Sequence, residues 1–120
     1  MSPKKVLIIG CGFAGTALAL FLKRAGIEAE IYEARQASDL DAGAFLFVAP
    51  NGMNVLKDLG LEPTLEQHGF PTTGITFYNS QGKTIGELDN RFDKERYGVR
   101  GHVFKRRDIF KVLRDEAQHQ

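Results

Sequence analysis

Residues 6–26 have the sequence VLIIGCGFAGTALALFLKRAG, and this stretch decides the fold. They begin inside a strand-like run over residues 4–9, whose lack of alternation predicts a strand buried on both faces, as in a parallel sheet. Residues 13–25 then carry apolar side chains at spacings of three and four, which predicts a helix. The expected buried stripe of this helix consists of Ala14, Ala17, Leu18, Phe21, Leu22 and Ala25.

The end of the helix and a second strand follow directly. Lys23 and Arg24 place positive charge in the last turn, where the helix dipole favours it, and Gly26 is suited to cap the helix. Residues 27–32 alternate enough to form a second strand that ends before Glu33. Strand, helix and strand in this order predict a right-handed βαβ unit, so the expected fold class is α/β with a Rossmann-like core.

The segment from Gly10 to Gly15 has the spacing G-x-G-x-x-G between the predicted strand and helix. In this context, with Glu33 at the end of the next strand, the pattern predicts a dinucleotide site. Gly10 would permit the tight turn, Gly12 would admit a pyrophosphate, and Gly15 would let helix and strand pack closely. Glu33 would accept hydrogen bonds from the adenosine ribose and would repel a 2′-phosphate, which argues against NADP at this site. The alternative is a structural turn with a solvated acid.

Several single residues allow two interpretations. Cys11 is either a small filler or a thiol whose pKa is lowered at the helix start. Arg35 either reaches the nucleotide or is an ordinary surface charge. No catalytic pair is predicted. His68, His102 and His119 are scattered and lack metal-ligand spacing, and Asp39 and Asp41, in a polar loop at residues 34–43, are expected to be solvated.

Length and composition limit the functional classes. The chain has 120 residues, which suits one domain, and its net charge of +1 offers no field that favours nucleic acid or an anionic membrane. Cys11 is the single cysteine, so a disulfide framework is excluded and a cytoplasmic location is expected. The apolar run that ends at Ile9 is too short for a signal sequence or a membrane span.

Patterns beyond the glycine segment predict further elements. A short extended segment is expected at residues 44–48. Residues 50–59 predict a helix that buries Val55, Leu56 and Leu59 and ends at Gly60. Two strands around Asn79–Gly82 predict a hairpin. Residues 89–100 predict a charged loop, residues 102–105 an extended segment, and residues 106–117 a helix that buries Ile109, Phe110 and Leu113, while residues 64–69 are too short to assign.

Three segments together carry a family resemblance: VLIIGCGFAGTALALFLKRAGIEAEIYEAR, then GAFLFVAPNGMNVLKDLGL, then HVFKRRDIFKVL. In this order they resemble the N-terminal part of the single-component FAD-dependent aromatic hydroxylases, which are related to para-hydroxybenzoate hydroxylase and the tetracycline-modifying monooxygenases. The glycine motif itself does not separate FAD from NAD, whereas the second and third segments are more specific. The resemblance covers nearly all 120 residues.

The resemblance implies roles for individual residues. The glycines and Glu33 would hold the ADP half of FAD, the segment around Gly43 would run beside the flavin, and Arg106 matches an arginine that contacts FAD. Arg106 could instead be a surface charge, and core packing is the favoured role for Phe45 and Phe47. The full set of cofactor-binding candidates is Gly10, Gly12, Phe13, Ala14, Gly15, Glu33, Ala34, Arg35, Gly43, Ala44, Phe45 and Arg106.

The resemblance also implies an activity, which is hydroxylation of a small aromatic or polyketide-like substrate with FAD, O₂ and NADPH or NADH. Family members are longer, so residues 1–120 would be an FAD-binding domain without the substrate domain, incomplete relative to the family fold. We expect uncovered sheet edges that a second copy or a partner polypeptide would cover. Alone, the chain is not expected to hydroxylate a substrate. A non-catalytic nucleotide-binding module and an NAD-dependent dehydrogenase fragment remain alternatives.

Overall fold

The computed structural model describes residues 5–36 and 43–118. The order of elements is β1 (Val6–Ile9), α1 (Phe13–Arg24), β2 (Ala29–Tyr32), β3 (Phe45–Val48), α2 (Pro50–Asp58), α3 (Glu62–Glu66), β4 (Gly69–Pro71), β5 (Gly74–Tyr78), β6 (Thr84–Asp89), α4 (Asp93–Tyr97), β7 (His102–Lys105) and α5 (Arg106–Gln118). The chain divides into two compact units. We call residues up to 44 together with those from 105 onward the glycine-loop unit, and residues 45–104 the hairpin unit.

The glycine-loop unit contains the predicted βαβ arrangement. β1 and β2 pair in parallel, with Val6 opposite Ala29 and Ile9 opposite Tyr32. Helix α1 ends one residue earlier than predicted, and Gly26 follows it with a φ of +71° that suits a glycine cap. The mixed α/β class and the parallel pair predicted from the sequence are therefore confirmed.

The buried face of β1 differs from the prediction. Ile8 is buried, whereas Leu7 and Ile9 are exposed, so the expectation of a strand buried on both faces is wrong. Helix α1 packs on β1 and β2 and covers one face of this short sheet. Within the described part of the glycine-loop unit, no element covers the other face. Successive side chains of a strand point to opposite faces, so Leu7 and Ile9 lie on this uncovered face.

The buried stripe of α1 is also rotated from the predicted one. Thr16 and Leu20 are buried, while Leu18 and Phe21 are exposed. The reason is that the helix approaches β1 through Gly15, so the row that starts beside this glycine becomes the buried row. Helix α5 packs against α1 and buries Ile109, Phe110 and Leu113, as predicted.

The hairpin unit has an apolar core of its own. Sheet order is β3-β7-β4, with β4 antiparallel to β7, and β5 pairs with β6 as the predicted antiparallel hairpin. Helix α2 begins at Pro50 as predicted, but it buries Met53 in place of the exposed Val55. The other buried apolar residues of this unit are Leu56, Leu59, Leu61, Leu65, Val99 and Phe104.

In this unit, two further sequence expectations need correction, and one segment left unassigned is now defined. Residues 89–100 are not all loop, because α4 forms there and ends at Gly98, whose φ of +79° stops the helix. The unassigned residues 64–69 hold the end of α3 and the first residue of β4. Phe45 and Phe47 are exposed and therefore do not fill a core in this structure.

No helix in residues 5–36 or 43–118 is both long enough and apolar enough to cross a membrane.

Candidate functional site

The glycine loop makes a tight turn between β1 and α1. Gly10 has a φ of +101°, a conformation that residues with a Cβ rarely adopt. Its N–H donates to the Tyr32 carbonyl oxygen at 2.7 Å, which ties the end of β1 to the end of β2. The turn therefore directs the chain from the sheet edge straight into the first residue of the helix.

Gly15 and Gly12 differ in the space that a side chain would find. A Cβ at position 15 would lie well inside van der Waals distance of the Gly10 carbonyl oxygen and 3.2 Å from Cγ2 of Ile8. A Cβ at position 12 would meet no heavy atom within 4 Å. Gly15 thus allows the close approach of helix and strand, while Gly12 leaves an open approach to the main chain.

The start of α1 is suited to bind an anion. Its N-cap is Gly12, no side chain caps the first turn, and that turn contains no acidic residue. Thr16, which is buried, donates its hydroxyl to the Gly12 carbonyl oxygen at 2.8 Å and thereby fixes the loop from within. The first N–H groups of a helix have no partner inside it, so they and the positive end of the helix dipole face the open side of Gly12.

Glu33 lies beside this loop at the end of β2. One carboxylate oxygen accepts from the Arg35 N–H at 2.8 Å, and the other accepts from the Cys11 N–H at 2.8 Å. These two main-chain donors, first Arg35 and then Cys11, lower the pKa of Glu33 below its ordinary value, so it is ionised at neutral pH. A carboxylate has about four lone-pair sites, so each oxygen can accept a further hydrogen bond from a ligand hydroxyl.

A second feature is a row of alternating arginine and phenylalanine side chains on α1 and α5, which we call the Arg–Phe ladder. The Arg106 guanidinium lies 5.2 Å from the centre of the Phe13 ring, and Phe13 meets Phe110 edge to face at 5.4 Å. Arg114 lies 5.0 Å from the Phe110 ring centre. Such contacts are attractive, so the ladder restrains Arg106 at the start of α5.

Gly43 and Ala44 lie against the same arginine. The Arg106 N–H donates to the Ala44 carbonyl oxygen at 3.3 Å. A Cβ at Gly43 would lie 2.5 Å from Cδ of Arg106, and Gly43 has a φ of +125°. Among the described residues, no carboxylate lies within ion-pair distance of Arg106, so its charge is available to an anionic group.

The structure thus brings most of the predicted residues into two clusters of one unit. The first contains the loop from Gly10 to Gly15 with Glu33 and the exposed Ala34 and Arg35, and the second contains Phe13, Gly43, Ala44 and Arg106. Phe45 begins β3 in the hairpin unit and is exposed. Asp39, Asp41 and His119 lie outside the described residues.

Sequence reasoning missed part of this arrangement. A cavity of about 590 Å³ in the glycine-loop unit is lined by Cys11, Glu33 and Arg35 and also by Arg114 of α5. The buried Thr16 and the partner rings of the ladder were not anticipated either. The position of Thr16 could have been predicted, because the hydroxyl of a threonine four residues after the N-cap glycine can donate to the carbonyl oxygen of that glycine. The contacts between α1 and α5 have no local signal.

The residues present fit an adenine dinucleotide cofactor. Gly12 leaves room for a pyrophosphate at an uncapped helix start, and Glu33 retains acceptor capacity for ribose hydroxyls. His102, by contrast, is buried and pairs through Nδ1 with the Arg100 carbonyl oxygen at 3.0 Å. Within residues 5–36 and 43–118, no three potential ligands gather as a metal site would require.

Known proteins are similar to this chain in sequence and in fold. 3-Amino-4-hydroxybenzoate 2-monooxygenase PtmB3 from Streptomyces platensis is 35% identical over 112 residues, which are 91% of this chain and 28% of PtmB3. FAD-dependent monooxygenase dpasE from Apiospora sacchari is 40% identical over 118 residues, 92% of this chain and 24% of dpasE. The crystal structure of Klebsiella pneumoniae HpxO complexed with FAD and uric acid matches with a TM-score of 0.77 and 26% identity, covering 93% of this chain and 28% of HpxO.

The chain therefore spans less than a third of each of these proteins. A family model described as FAD binding domain matches residues 4–120, nearly the whole sequence. The predicted resemblance, the α/β fold class and the cofactor are confirmed, and the chain belongs to this family of FAD-binding domains.

Proposed function

We propose that this chain supplies the FAD-binding part of a flavin-dependent monooxygenase that hydroxylates a small aromatic or polyketide-like substrate. The names of its relatives support this class, and the chain's share of their length supports a role as one part of a larger catalytic assembly. The observation that carries the proposal is the loop geometry, in which an open Gly12 and an uncapped helix start lie beside an ionised Glu33.

The ADP half of FAD is held in this proposal by the first cluster. The N–H groups that begin α1, at Phe13, Ala14 and Gly15, donate to the pyrophosphate. Glu33 accepts from the ribose hydroxyls, and Arg35 adds positive charge from the exposed loop that follows Ala34. The carboxylate also opposes a 2′-phosphate, so any NADPH used by the whole protein binds elsewhere.

The flavin side of the cofactor is assigned to Gly43, Ala44 and Phe45, and Arg106 contacts FAD through its guanidinium. The ladder supports this assignment, because the Phe13 ring and the Ala44 carbonyl hold Arg106 at the start of α5. When bound, FAD supplies the redox chemistry that uses O₂ and a reductant, NADPH or NADH. The residues of this chain bind and orient the cofactor.

We further propose that the family domain extends over residues 1–120 and that another polypeptide surface covers its apolar faces. Leu7 and Ile9 on β1 and Leu18 on α1 are exposed, with Ile9 at 84%. Such a surface comes from a substrate domain, a partner polypeptide or a second copy of the chain. The single free cysteine suits a reducing compartment such as the cytoplasm.

The same exposure favours a second candidate function, a nucleotide-binding module that consumes no oxygen by itself. The two functions differ in one measurement, which is O₂ uptake and hydroxylated product in the presence of FAD and NADPH. Product formed by the chain alone would contradict the module. If the chain binds flavin but forms product only when a complementing substrate domain is added, the result supports its role as the FAD-binding part of a monooxygenase.

The direct experiment is the visible absorption spectrum of the purified chain, with mass spectrometry of any released cofactor and a size measurement of the same sample. We expect FAD to bind and NAD to give no protection against thermal unfolding. Gly12→Val should abolish FAD binding, because its side chain occupies the open approach to the helix start. Gly86→Val, whose added Cβ makes only an ordinary contact with Phe77, is the matched control and should bind FAD normally.

FAD binding that survives Gly12→Val would show that the cofactor lies elsewhere.

A further inference from the structure

A cavity of about 460 Å³ lies in the hairpin unit, and its lining includes none of the residues assigned to FAD above. Its lining includes Phe47, Asn51, Asn54, Leu88, Asp93 and Tyr97. A cavity of this volume falls within the range of small-molecule sites. We propose that it binds a small organic cation, namely a protonated amine carried on an apolar body.

Asp93 is the group that selects a cation. Its side chain belongs to a residue that is only 7% exposed, and it lines the cavity. Its main-chain N–H donates to the Asn90 carbonyl oxygen at 3.2 Å. Among the described residues, however, its carboxylate has neither a hydrogen-bond donor nor an ion-pair partner. Its oxygens are not sealed in the protein interior, so a ligand in the cavity can reach them.

A carboxylate on a residue this buried keeps only part of its contact with water, and buried polar groups are normally paired. An ammonium group supplies the missing partner, because it brings both opposite charge and N–H donors. An anionic ligand would be repelled, and a neutral ligand would recover only part of the interaction. The unpartnered carboxylate therefore identifies the charge of the ligand.

The remaining walls identify the body of the ligand. Among the described residues that line the cavity, Asp93 is the only charged one, and no lysine or arginine is present to neutralise it. The rings of Phe47 and Tyr97 and the side chain of Leu88 offer apolar contact. Asn54 donates through Nδ2 to the Tyr97 carbonyl oxygen at 3.1 Å, which fixes its orientation and leaves its amide oxygen as a further acceptor for an ammonium group.

This inference goes beyond the proposed function, because every residue that lines the cavity belongs to the hairpin unit and none belongs to the glycine-loop unit. A failure of one proposal is therefore distinguishable from a failure of the other. Asp93→Asn should lose the amine site and retain FAD binding, whereas Gly12→Val should lose FAD binding and retain the amine site.

The experiment is a titration of the 120-residue chain with benzylamine, followed by ¹H–¹⁵N NMR, with benzyl alcohol as the neutral analogue and benzoate as the anionic one. We expect benzylamine to shift the signals of Phe47, Asn54 and Tyr97 and to bind about tenfold more tightly than benzyl alcohol. Asp93→Asn should weaken benzylamine binding about tenfold and leave benzyl alcohol unchanged. Glu95→Gln, on the same short helix but outside the cavity lining, should change neither.

Equal affinity for benzylamine and benzyl alcohol would overturn the proposal, and so would undiminished benzylamine binding by a folded Asp93→Asn variant. If that variant does not fold, the comparison of benzylamine with benzyl alcohol on the wild-type chain tests the proposal. Shifts that map away from the cavity, or an affinity for benzylamine that added NaCl does not reduce, would contradict the site. Weakening by salt together with shifts at the cavity walls supports it.

Discussion

The glycine-loop unit and the hairpin unit differ in what determines their structure. In the glycine-loop unit, main-chain groups set the geometry. Gly10 turns the chain, Gly15 packs closely against the Gly10 carbonyl oxygen, and Glu33 accepts hydrogen bonds from two main-chain N–H groups. In the hairpin unit, side-chain packing sets the geometry, because Met53 and Leu65 are completely buried in an apolar core. The comparison teaches that the glycine-loop unit depends on the absence of side chains and the hairpin unit on their presence.

The largest effect should come from adding side-chain atoms to the first unit. Gly15→Val places a Cβ against the Gly10 carbonyl oxygen, and a main-chain atom cannot rotate away. We expect the free energy of unfolding to fall by at least about 3 kcal/mol, the upper range for overpacking, and FAD binding to be lost. Urea denaturation followed by circular dichroism measures this change.

Gly12→Ala is the matched control, since its Cβ meets no atom within 4 Å. It should unfold close to wild type while it still weakens FAD binding. If both variants unfolded alike, steric exclusion at Gly15 would not be what distinguishes the two positions.

In the hairpin unit, removing side-chain atoms should lower the free energy of unfolding. Met53→Ala deletes a completely buried side chain from α2 and leaves a cavity, so we expect a loss of about 2–4 kcal/mol in unfolding free energy. Val55→Ala on the exposed face of the same helix is the control and should cost much less. Thermal and urea unfolding of the two variants provide the test, and equal losses would show that α2 is not anchored through Met53.

The two units also differed in how far their sequences predicted them. The strand, glycine turn, helix and parallel strand up to Tyr32 were predictable, because glycine spacing and a local apolar period encode them directly. The buried face of α1 was not, since the approach through Gly15 rotates the helix and leaves Leu18 and Phe21 exposed. In the hairpin unit, α4 was missed because the charged sequence of residues 93–97 has no apolar stripe and only a terminal glycine marks it.

The candidate site divides in the same way. Motif spacing identified the residues from Gly10 to Gly15 and Glu33, which are neighbours through one turn and one strand pair. It did not identify the contact of Arg106 with Phe13 or the place of Arg114 in the cavity lining, because these join segments that are roughly eighty to a hundred residues apart along the sequence. Only the packing of α5 on α1 brings them together.

A smaller effect should follow from the charge at Glu33. Glu33→Gln keeps the shape and one acceptor but loses the charge, so we expect FAD binding to weaken about tenfold. The lowered pKa of Glu33 means that its contribution is fully present at neutral pH and is lost only as the pH falls through a value below 4.5. Fluorescence titration with FAD at several pH values measures both.

Glu30→Gln removes a charge on β2 that pairs with Lys5 and lies outside the lining of the cavity of about 590 Å³, and it should leave FAD affinity unchanged. An FAD affinity of Glu33→Gln equal to wild type at neutral pH would argue against a ribose contact.

The Arg–Phe ladder should contribute less. Phe13→Leu keeps apolar volume but removes the ring beneath Arg106, so we expect a two- to fivefold weaker FAD affinity from loss of about 0.5–1 kcal/mol of cation–π attraction. Phe13→Tyr should restore the affinity, and the exposed Phe21→Leu on the same helix serves as control. A purely packing role would instead let Leu bind FAD as well as Tyr does.

The smallest effect compares two carboxylates, the half-buried Glu33 and the exposed Asp89, one in each unit. Side-chain and main-chain hydrogen bonds from Arg91 lower the pKa of Asp89 to about 2, with the side chain contributing most, whereas the main-chain donors of Arg35 and Cys11 lower that of Glu33. Arg91→Gln should therefore raise the pKa of Asp89 toward its ordinary 3.8. Arg35→Gln should leave the pKa of Glu33 low, because both N–H donors remain. Carboxyl ¹³C titration by NMR measures the four values, and a marked rise of the Glu33 pKa in Arg35→Gln would mean that side-chain charge dominates at the glycine loop as well.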